Sequence, residues 1–253
     1  MPPTVAHTLR REWFLTAGET DARALMPVTL IAARAIETAT LHANALGIGY
    51  SNLAEHRLGW VLARMTIEVE RYPAINETYA METWIEGYNR YFSDRCYIMT
   101  DAAGRPLAHI RSVWVAIDMH TRRLADLSEL ERDAFPTLDR ACPVARSPKP
   151  AAAGGDCERA EYTFRYCDID FNRHVNTIRY LDLVLNLRPL DFYDTHDITR
   201  LDATFDHECY FGERVDLVTA PDRRDPATRV TEIRRPDGTR AVAVALRYTI
   251  HDA

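Results

Sequence analysis

Asp168-Ile169-Asp170-Phe171-Asn172-Arg173-His174-Val175-Asn176 is the densest run of reactive side-chain types in the sequence. Asp170, Asn172 and His174 are spaced by two, so an extended or loop backbone can aim all three to one side. The run ends where a helical pattern begins. Val175, Ile178, Leu181 and Leu185 share one face of a helix expected from about Val175 to Leu187, with Pro189 just beyond. A helix start offers unpaired N–H groups and the positive end of the dipole. That is a place to receive a carbonyl oxygen as it becomes an oxyanion, and one well-aimed donor lowers such a barrier by roughly 2.7–4 kcal/mol. A blander role for Asp170 or Asn172 is to cap the helix, which leaves His174 and Asn176 unexplained.

A second cluster is His207-Glu208-Cys209. The surrounding pattern, Leu201 to Tyr210, reads as a strand, in which His207 and Cys209 would share one face and Glu208 the other. A Glu on a strand is usually solvated; one turned toward a helix start could act as a base toward water, worth about 10²–10⁴-fold in rate. Asp170, His174, Glu208 and Cys209 are types that bind zinc, but their spacing fits no compact zinc pattern. Cys209 with His174 would make a Cys-His nucleophile, although a Cys in a strand is more often a small buried filler. Neither a phosphate loop nor a Gly-x-Ser-x-Gly elbow occurs. No cofactor and no metal are expected.

The elements that must position these groups can be read from pattern. A helix is expected from Pro27 to about Leu46, stopped by Gly47. Strands follow at Trp60 to Val69, Thr78 to Ile85, Tyr91 to Thr100 and Ala108 to Met119. Residues 127–156 change character, with Pro143, Pro148, Pro150 and Ala151-Ala152-Ala153-Gly154-Gly155. A strand from Arg159 to Tyr166, the helix after Val175, and strands at Leu201 to Tyr210, Arg214 to Ala220, Arg229 to Arg235 and Arg240 to Ile250 complete the chain. Each half therefore reads as strand, one long helix, then antiparallel strands. This is an α+β design in which a sheet buries one face against a helix. The expected division is 1–140, a linker at 141–156, and 157–253.

Bulk composition narrows the class. Of 253 residues 47% are hydrophobic and 27% charged, which suits a globular chain with a substantial core. The net charge of -6 is opposite in sign to that of a nucleic-acid binder. Five cysteines, an odd number without C-x-x-C spacing, argue against a disulfide framework and for a reducing compartment. Met1 to Leu15 lacks an apolar signal core, and Leu25 to Ile36 is too short and too polar to span a bilayer. A cytoplasmic protein without membrane insertion is the expectation.

At these residues the sequence resembles the acyl-acyl carrier protein thioesterases, the plant plastid enzymes and their bacterial relatives. The resemblance lies in Asp170-Phe171-Asn172-Arg173-His174-Val175-Asn176 with Tyr180 on the helix, and in Glu208-Cys209. It extends to Gly59-Trp60-Val61, Glu68-Val69-Glu70-Arg71-Tyr72-Pro73, Thr83-Trp84, Ser112-Val113-Trp114-Val115 and Ile117-Asp118-Met119-His120-Thr121-Arg122-Arg123. It implies a tandem double hot-dog. It also implies hydrolysis of fatty acyl-carrier protein, and a catalytic set of Asp170, Asn172, His174 and Glu208 with Cys209 and Asn176 in support. In that set Glu208 would activate water with help from Asp170, while Asn172, His174 and the helix start polarise the carbonyl. The first half, whose helix begins Met26-Pro27-Val28-Thr29, would be a degenerate repeat that shapes the acyl pocket. Thr177 stands where the family has Asn, and no plastid transit peptide is recognisable. The partner would be an acidic carrier protein, met through Arg173 or Arg146 and Lys149; a homodimer is compatible. The alternatives are an acyl-CoA thioesterase on the same fold, a hot-dog dehydratase, and a non-catalytic acyl-binding protein.

Overall fold

The computed structural model describes residues 7–127, 136–146, 150 and 157–250. The chain divides into two compact units, Met1–Arg146 and Ser147–Ala253. Among the described residues of the first unit, β1 (Thr8–Phe14), α1 (Val28–Ala45) and α2 (Tyr50–Glu55) precede β2 (Leu58–Val69), β3 (Thr78–Tyr88), β4 (Phe92–Asp101) and β5 (Pro106–Asp118). The strands pair antiparallel in the order β1-β3-β4-β5-β2. The second unit contains β6 (Glu158–Thr163), α3 (Thr177–Leu185), α4 (Leu190–Tyr193), β7 (His196–Phe205), β8 (Arg214–Pro221), β9 (Thr228–Arg234) and β10 (Arg240–Ile250). Its order, β6-β8-β9-β10-β7, is the same when counted from the unit's first strand. The expected α+β fold of two hot-dog units in tandem is thus realised. Among the described residues, no helix is long and apolar enough to cross a membrane.

α1 begins at Pro27, whose fixed φ and missing N–H suit a helix entry, and is stopped where Gly47 takes φ +75°. It buries Val28, Ile31, Ala32, Ala35, Ala39 and Ala43, a stripe at helical spacing. The alanines let the helix axis come close to the sheet. Against it lie Tyr79, Met81, Ile85, Tyr97 and Met99 of β3 and β4, all fully buried. Arg95 of β4 is buried on the same face, its guanidinium 2.7 Å from His42 Nδ1. Burial at this site pushes the guanidinium pKa down.

The opposite face of this sheet is also covered, by residues 136–146. Arg140 O accepts from Trp84 Nε1 at 2.9 Å and its guanidinium lies over the Trp84 ring. Val144 O accepts from Arg111 Nε at 2.9 Å. The Cys142 N–H donates to Glu86 at 2.9 Å, and Arg146 reaches Asp94 at 2.9 Å. Residues 141–146 therefore belong to the first unit, and the expected linker at 141–156 starts too early. Residues 147–149 and 151–156, with Lys149 and the Ala-Gly run, lie outside the described residues.

Two other expectations shift for local reasons. The strand expected to Tyr166 ends at Thr163, because the Arg165 N–H donates to the Asp168 carboxylate at 2.7 Å and a 3₁₀ turn follows at Tyr166–Asp168. The strand expected to Tyr210 ends at Phe205, because the N–H groups of Asp206 and His207 both turn to Ala241 O, at 2.8 and 3.0 Å.

Glu86 anchors the covered face of the first unit. It takes two bonds from Arg111, at 2.5 and 3.0 Å. Those bonds first, then the Cys142 N–H and the charges of Arg111 and Arg146, hold its carboxyl below the usual range. A pKa lower in the folded than in the unfolded state means that the unfolded chain binds the extra proton. The stabilisation is therefore present above the unfolded pKa of about 4.3 and is lost as pH falls through the folded value. Glu86→Gln is expected to lower the unfolding free energy at pH 7 by about 1–3 kcal/mol. It should also lose less than wild type between pH 5 and pH 3, as read from urea unfolding midpoints across that range.

Candidate active site

The run from Asp170 to Asn176 is neither extended nor helical. Asp170 O accepts from the Arg173 N–H at 3.0 Å, and the Asp170 N–H donates to His174 O at 2.8 Å. The Asp170 carboxylate oxygen Oδ1 accepts from the N–H groups of Asn172 at 2.8 Å and His174 at 3.3 Å. Closing this turn puts Arg173 at φ +66°, the left-handed region. An Asp in the first position of a turn is favoured for this reason: its side chain satisfies amides that the turn leaves open.

The stem of the turn is pinned to the segment after β7. Ile169 bridges Val175, and His174 bridges Tyr210. The Val175 N–H donates to Cys209 O at 2.9 Å, and the Asn176 N–H to Asp168 O at 2.8 Å. These bonds set His174 beside Glu208. Nδ1 of the imidazole lies 3.2 Å from Glu208 Oε1, with the two side chains 21% and 30% exposed, so both can meet a substrate. The Tyr210 ring packs edge-on against His174, centroids 5.2 Å apart, and fixes the imidazole plane. Glu208 reaches this position because it lies past the end of β7, outside the strand pleat that would have turned it away from its neighbours.

The helix start differs from the expectation. α3 begins at Thr177 rather than Val175, and Asn176 is its N-cap, accepting from the Ile178 N–H at 2.9 Å. The Arg179 N–H goes to Asn176 O at 2.9 Å. Every amide from Asn172 to Asn176 is likewise engaged. The Thr177 N–H has no acceptor among the described residues. The helix start thus offers one open donor, three residues from His174.

The structure places the remaining candidates as follows. Asn172 is exposed on the turn and joins the others through its backbone N–H. Cys209 is fully buried; its N–H donates to the Tyr180 hydroxyl at 2.9 Å, and burial pushes its thiol up to about 11. A thiol held protonated at neutral pH is a poor nucleophile. Tyr180 is the contributor that apolar patterning passes over, since it sits on the buried face of α3 like a core residue. Among the described residues, no group of three or more His, Cys, Asp and Glu side chains could hold a metal ion.

The first unit contains the same scaffold without the reactive groups. Asp21 Oδ1 accepts from Arg23 N at 2.9 Å and Leu25 N at 3.0 Å. The Asp21 N–H donates to Leu25 O at 2.8 Å, and Ala24 takes φ +59°. Leu25 bridges Ala74, and the Met26 N–H donates to Pro73 O at 2.9 Å. Bond for bond, Asp21 stands for Asp170, Arg23 for Asn172, Leu25 for His174, Pro73 for Cys209 and Tyr72 for Glu208. The aspartate is kept in a unit that has neither the histidine nor the glutamate.

Both halves of the chain match a known family. Residues 6–133 match the family model of the acyl-ACP thioesterase N-terminal domain, and residues 152–249 that of the C-terminal domain. The oleoyl-acyl carrier protein thioesterase of Coriandrum sativum, a chloroplastic protein, is 29% identical over 81% of this chain and 60% of its own length. Against other curated relatives the chain spans about half of their length. The crystal structure of an acyl-ACP thioesterase from Bacteroides thetaiotaomicron superposes with a TM-score of 0.88 at 26% identity, covering 96% of this chain and 98% of that one. The 12:0-ACP thioesterase from Umbellularia californica, at 21% identity and a TM-score of 0.82 over 97% of this chain and 98% of its own, shares the fold. With both halves matched in order, the chain belongs to the acyl-ACP thioesterase family.

Proposed function

We propose that this chain hydrolyses the thioester of fatty acyl-acyl carrier protein, releasing free fatty acid and holo-carrier and so ending chain elongation. The observation that carries the reading is the His174–Glu208 pair, which occupies one of two otherwise matching scaffolds. In this mechanism the Glu208 carboxylate takes a proton from water, and the oxygen attacks the thioester carbon. The carbonyl oxygen gains the electron pair and is received by the Thr177 N–H, with His174 and the side-chain carboxamide of Asn172 assigned to the same oxygen. Collapse breaks the C–S bond, and the carrier thiolate leaves with the proton returned from Glu208. His174, clamped by Tyr210, holds Glu208 and the substrate oxygen in register.

Asp170 acts in this scheme as a positioning residue. Its Oδ1 is spent on the turn, and Asp21 does the same in a unit that lacks the histidine and glutamate. Chain-length choice is assigned to the first unit, which keeps the scaffold and replaces the reactive pair by Leu25 and Tyr72. The five cysteines, odd in number and without C-x-x-C spacing, support a cytoplasmic setting. An acidic carrier needs cations to dock, and Arg173, exposed beside the site, supplies one. Arg146 is already paired with Asp94 and Glu86, which lessens its availability.

Four outcomes test the scheme. The purified chain should release free acid from acyl-carrier protein faster than from acyl-CoA of the same chain; the reverse order favours the acyl-CoA reading, and binding without release favours an acyl-binding protein. Glu208→Gln should lower kcat by about 10²–10⁴-fold with an unchanged unfolding midpoint. Thr177→Pro removes the open N–H at the first helical position, where proline is well tolerated and where Asn176 at ψ 137° already suits a following proline. It should cost about 10²–10³-fold in kcat, while Thr177→Ala retains activity; equal rates for the two variants would remove the amide from the mechanism. Asp170→Asn keeps an acceptor oxygen and should retain most of kcat, whereas Asp170→Ala should lose both kcat and stability. A large loss in kcat for the Asn variant alone, with stability intact, would return Asp170 to the chemistry.

A further inference from the structure

Glu213 and Arg235 take no part in the chemistry proposed above, yet both are tied to its histidine. The Glu213 carboxylate is divided between two bonds. Its Oε2 accepts from the Tyr210 N–H at 3.0 Å, and its Oε1 from Arg235 Nε at 2.8 Å. The Glu213 N–H donates back to Tyr210 O at 3.1 Å, and Gly212 takes φ +78°. A tight turn from Tyr210 to Glu213 is thus closed by main chain and side chain together. Its far end is fastened to the residue after β6: the Gly212 N–H goes to Phe164 O at 2.9 Å, and the Phe164 N–H to Glu213 O at 3.1 Å. Tyr210 heads this turn. It is also the residue whose backbone bridges His174 and whose ring lies edge-on against the imidazole. Every step from Arg235 to His174 is therefore a direct contact. Arg235 is itself steadied by the turn between β9 and β10, its N–H donating to Thr239 O at 2.8 Å. With 13% of its side chain exposed, the Glu213 carboxylate has little water around it, and Arg235 supplies the counter-charge.

The first unit builds the same turn. Glu77 Oε2 accepts from the Ala74 N–H at 3.0 Å, and the Glu77 N–H returns to Ala74 O at 3.1 Å. Asn76 takes φ +66°, its N–H goes to Leu15 O at 2.9 Å, and the Leu15 N–H to Glu77 O at 3.0 Å. Two things differ. Glu77 is held by Arg71, one residue before Tyr72, whereas the second unit has His207 in that place and draws its cation from beyond β9. The head of the turn is Ala74, which has no ring to aim. The turn holds an aromatic ring only in the unit that has a histidine for it to pack on.

We propose that Glu213 and Arg235 are positioning residues for the hydrolysis: through the Tyr210 N–H they hold the Tyr210 ring on His174 and so keep the imidazole aimed at Glu208. The inference rests on the reading of His174 and Glu208 as the hydrolytic pair. Misplacing a group of such a pair by about 1 Å is enough to cost about 10²-fold in rate.

The test reads geometry and rate separately. The geometry is read by NMR from the His174 imidazole protons, assigned by their loss in His174→Gln; the shift imposed on them by the Tyr210 ring is calibrated with Tyr210→Ala. In Glu213→Ala most of that shift should disappear. On acyl-carrier protein the same variant should lower kcat by about 10²-fold with KM little changed. Arg235→Ala should lower kcat as well, and Arg235→Lys, which returns a cation to Glu213, should restore most of it. Glu77→Ala is the control for a purely structural role: it should lower the unfolding midpoint as Glu213→Ala does and leave kcat unchanged. Loss of the His174 shift without loss of kcat, loss of kcat without loss of the shift, or retention of both in Glu213→Ala would overturn the proposal while leaving the hydrolytic reading intact. Absence of acid release by wild type would instead overturn that reading, and the His174 shift would still decide whether Glu213 and Arg235 hold the imidazole. Should Glu213→Ala fail to fold, Arg235→Ala against Arg235→Lys decides: wild-type kcat and His174 shift in both would overturn the proposal.

Discussion

The site depends on a carboxylate oxygen that accepts two backbone amides across a five-residue turn. The Asp170 carboxylate bonds to Asn172 and His174, together with the backbone bonds Arg173 N–H to Asp170 O and Asp170 N–H to His174 O, hold Arg173 in the left-handed region, a conformation that costs a non-glycine residue roughly 1–2 kcal/mol. With the turn closed, the backbone of His174 meets that of Tyr210, and the segment carrying Glu208 is drawn alongside. The imidazole and the carboxylate come together because two stretches of main chain are bonded to each other, more than through any attraction between the side chains. A partly exposed contact between an imidazole and a carboxylate contributes little by itself. The backbone bonds are therefore what fix the 3.2 Å contact.

The two units show the same constraint with and without chemistry. Both close the turn with an aspartate, and both lead through a bridge into the helix. Leu25 and Tyr72 then leave the first unit with a scaffold and no acid or base. The two turns differ in the side chains they carry, Arg23 and Leu25 against Asn172 and His174, while the same backbone bonds support both. This also separates positioning from chemistry: a residue present at both turns answers to the fold, and a residue present at one answers to the reaction.

The pattern of the fold was legible wherever it was local. Pro27 and Gly47 bracket α1, and the turn at Asp101–Arg105 separates two long alternating strands. β1 escapes because Arg10, Arg11 and Glu12 break its alternation; it is an edge strand that buries little. α2 and α4 are too short to show a period. The strand overrun at His207–Cys209 has a tertiary origin, since Ala241, far away in the chain, captures the amides that end β7. The site was half legible. The run from Asp170 to Asn176 announces itself by residue type, but the meeting of His174 with Glu208 came from the family resemblance and not from spacing. The open donor at Thr177 has no signature at all, because it belongs to the backbone. The repeat of the Asp turn is hidden for the opposite reason: Arg23 and Leu25 look nothing like Asn172 and His174, although their amides make the same bonds.

The two helix starts carry the argument one step further. Pro27 caps α1 without a side-chain bond, its carbonyl taking the Leu30 N–H at 2.9 Å, so the cap supplies no acceptor to the Val28 and Thr29 amides. Asn176 instead takes the Ile178 N–H, and its carbonyl takes the Arg179 N–H. Capping is usually counted as stability, about 1 kcal/mol per cap. Here it also selects. By satisfying the second and third amides of α3 it leaves the Thr177 N–H as the one open donor of that first turn among the described residues, and the proposed mechanism uses that donor. A donor that is already oriented needs no reorganisation when the oxyanion forms, and this is the condition under which a single hydrogen bond contributes most to a rate.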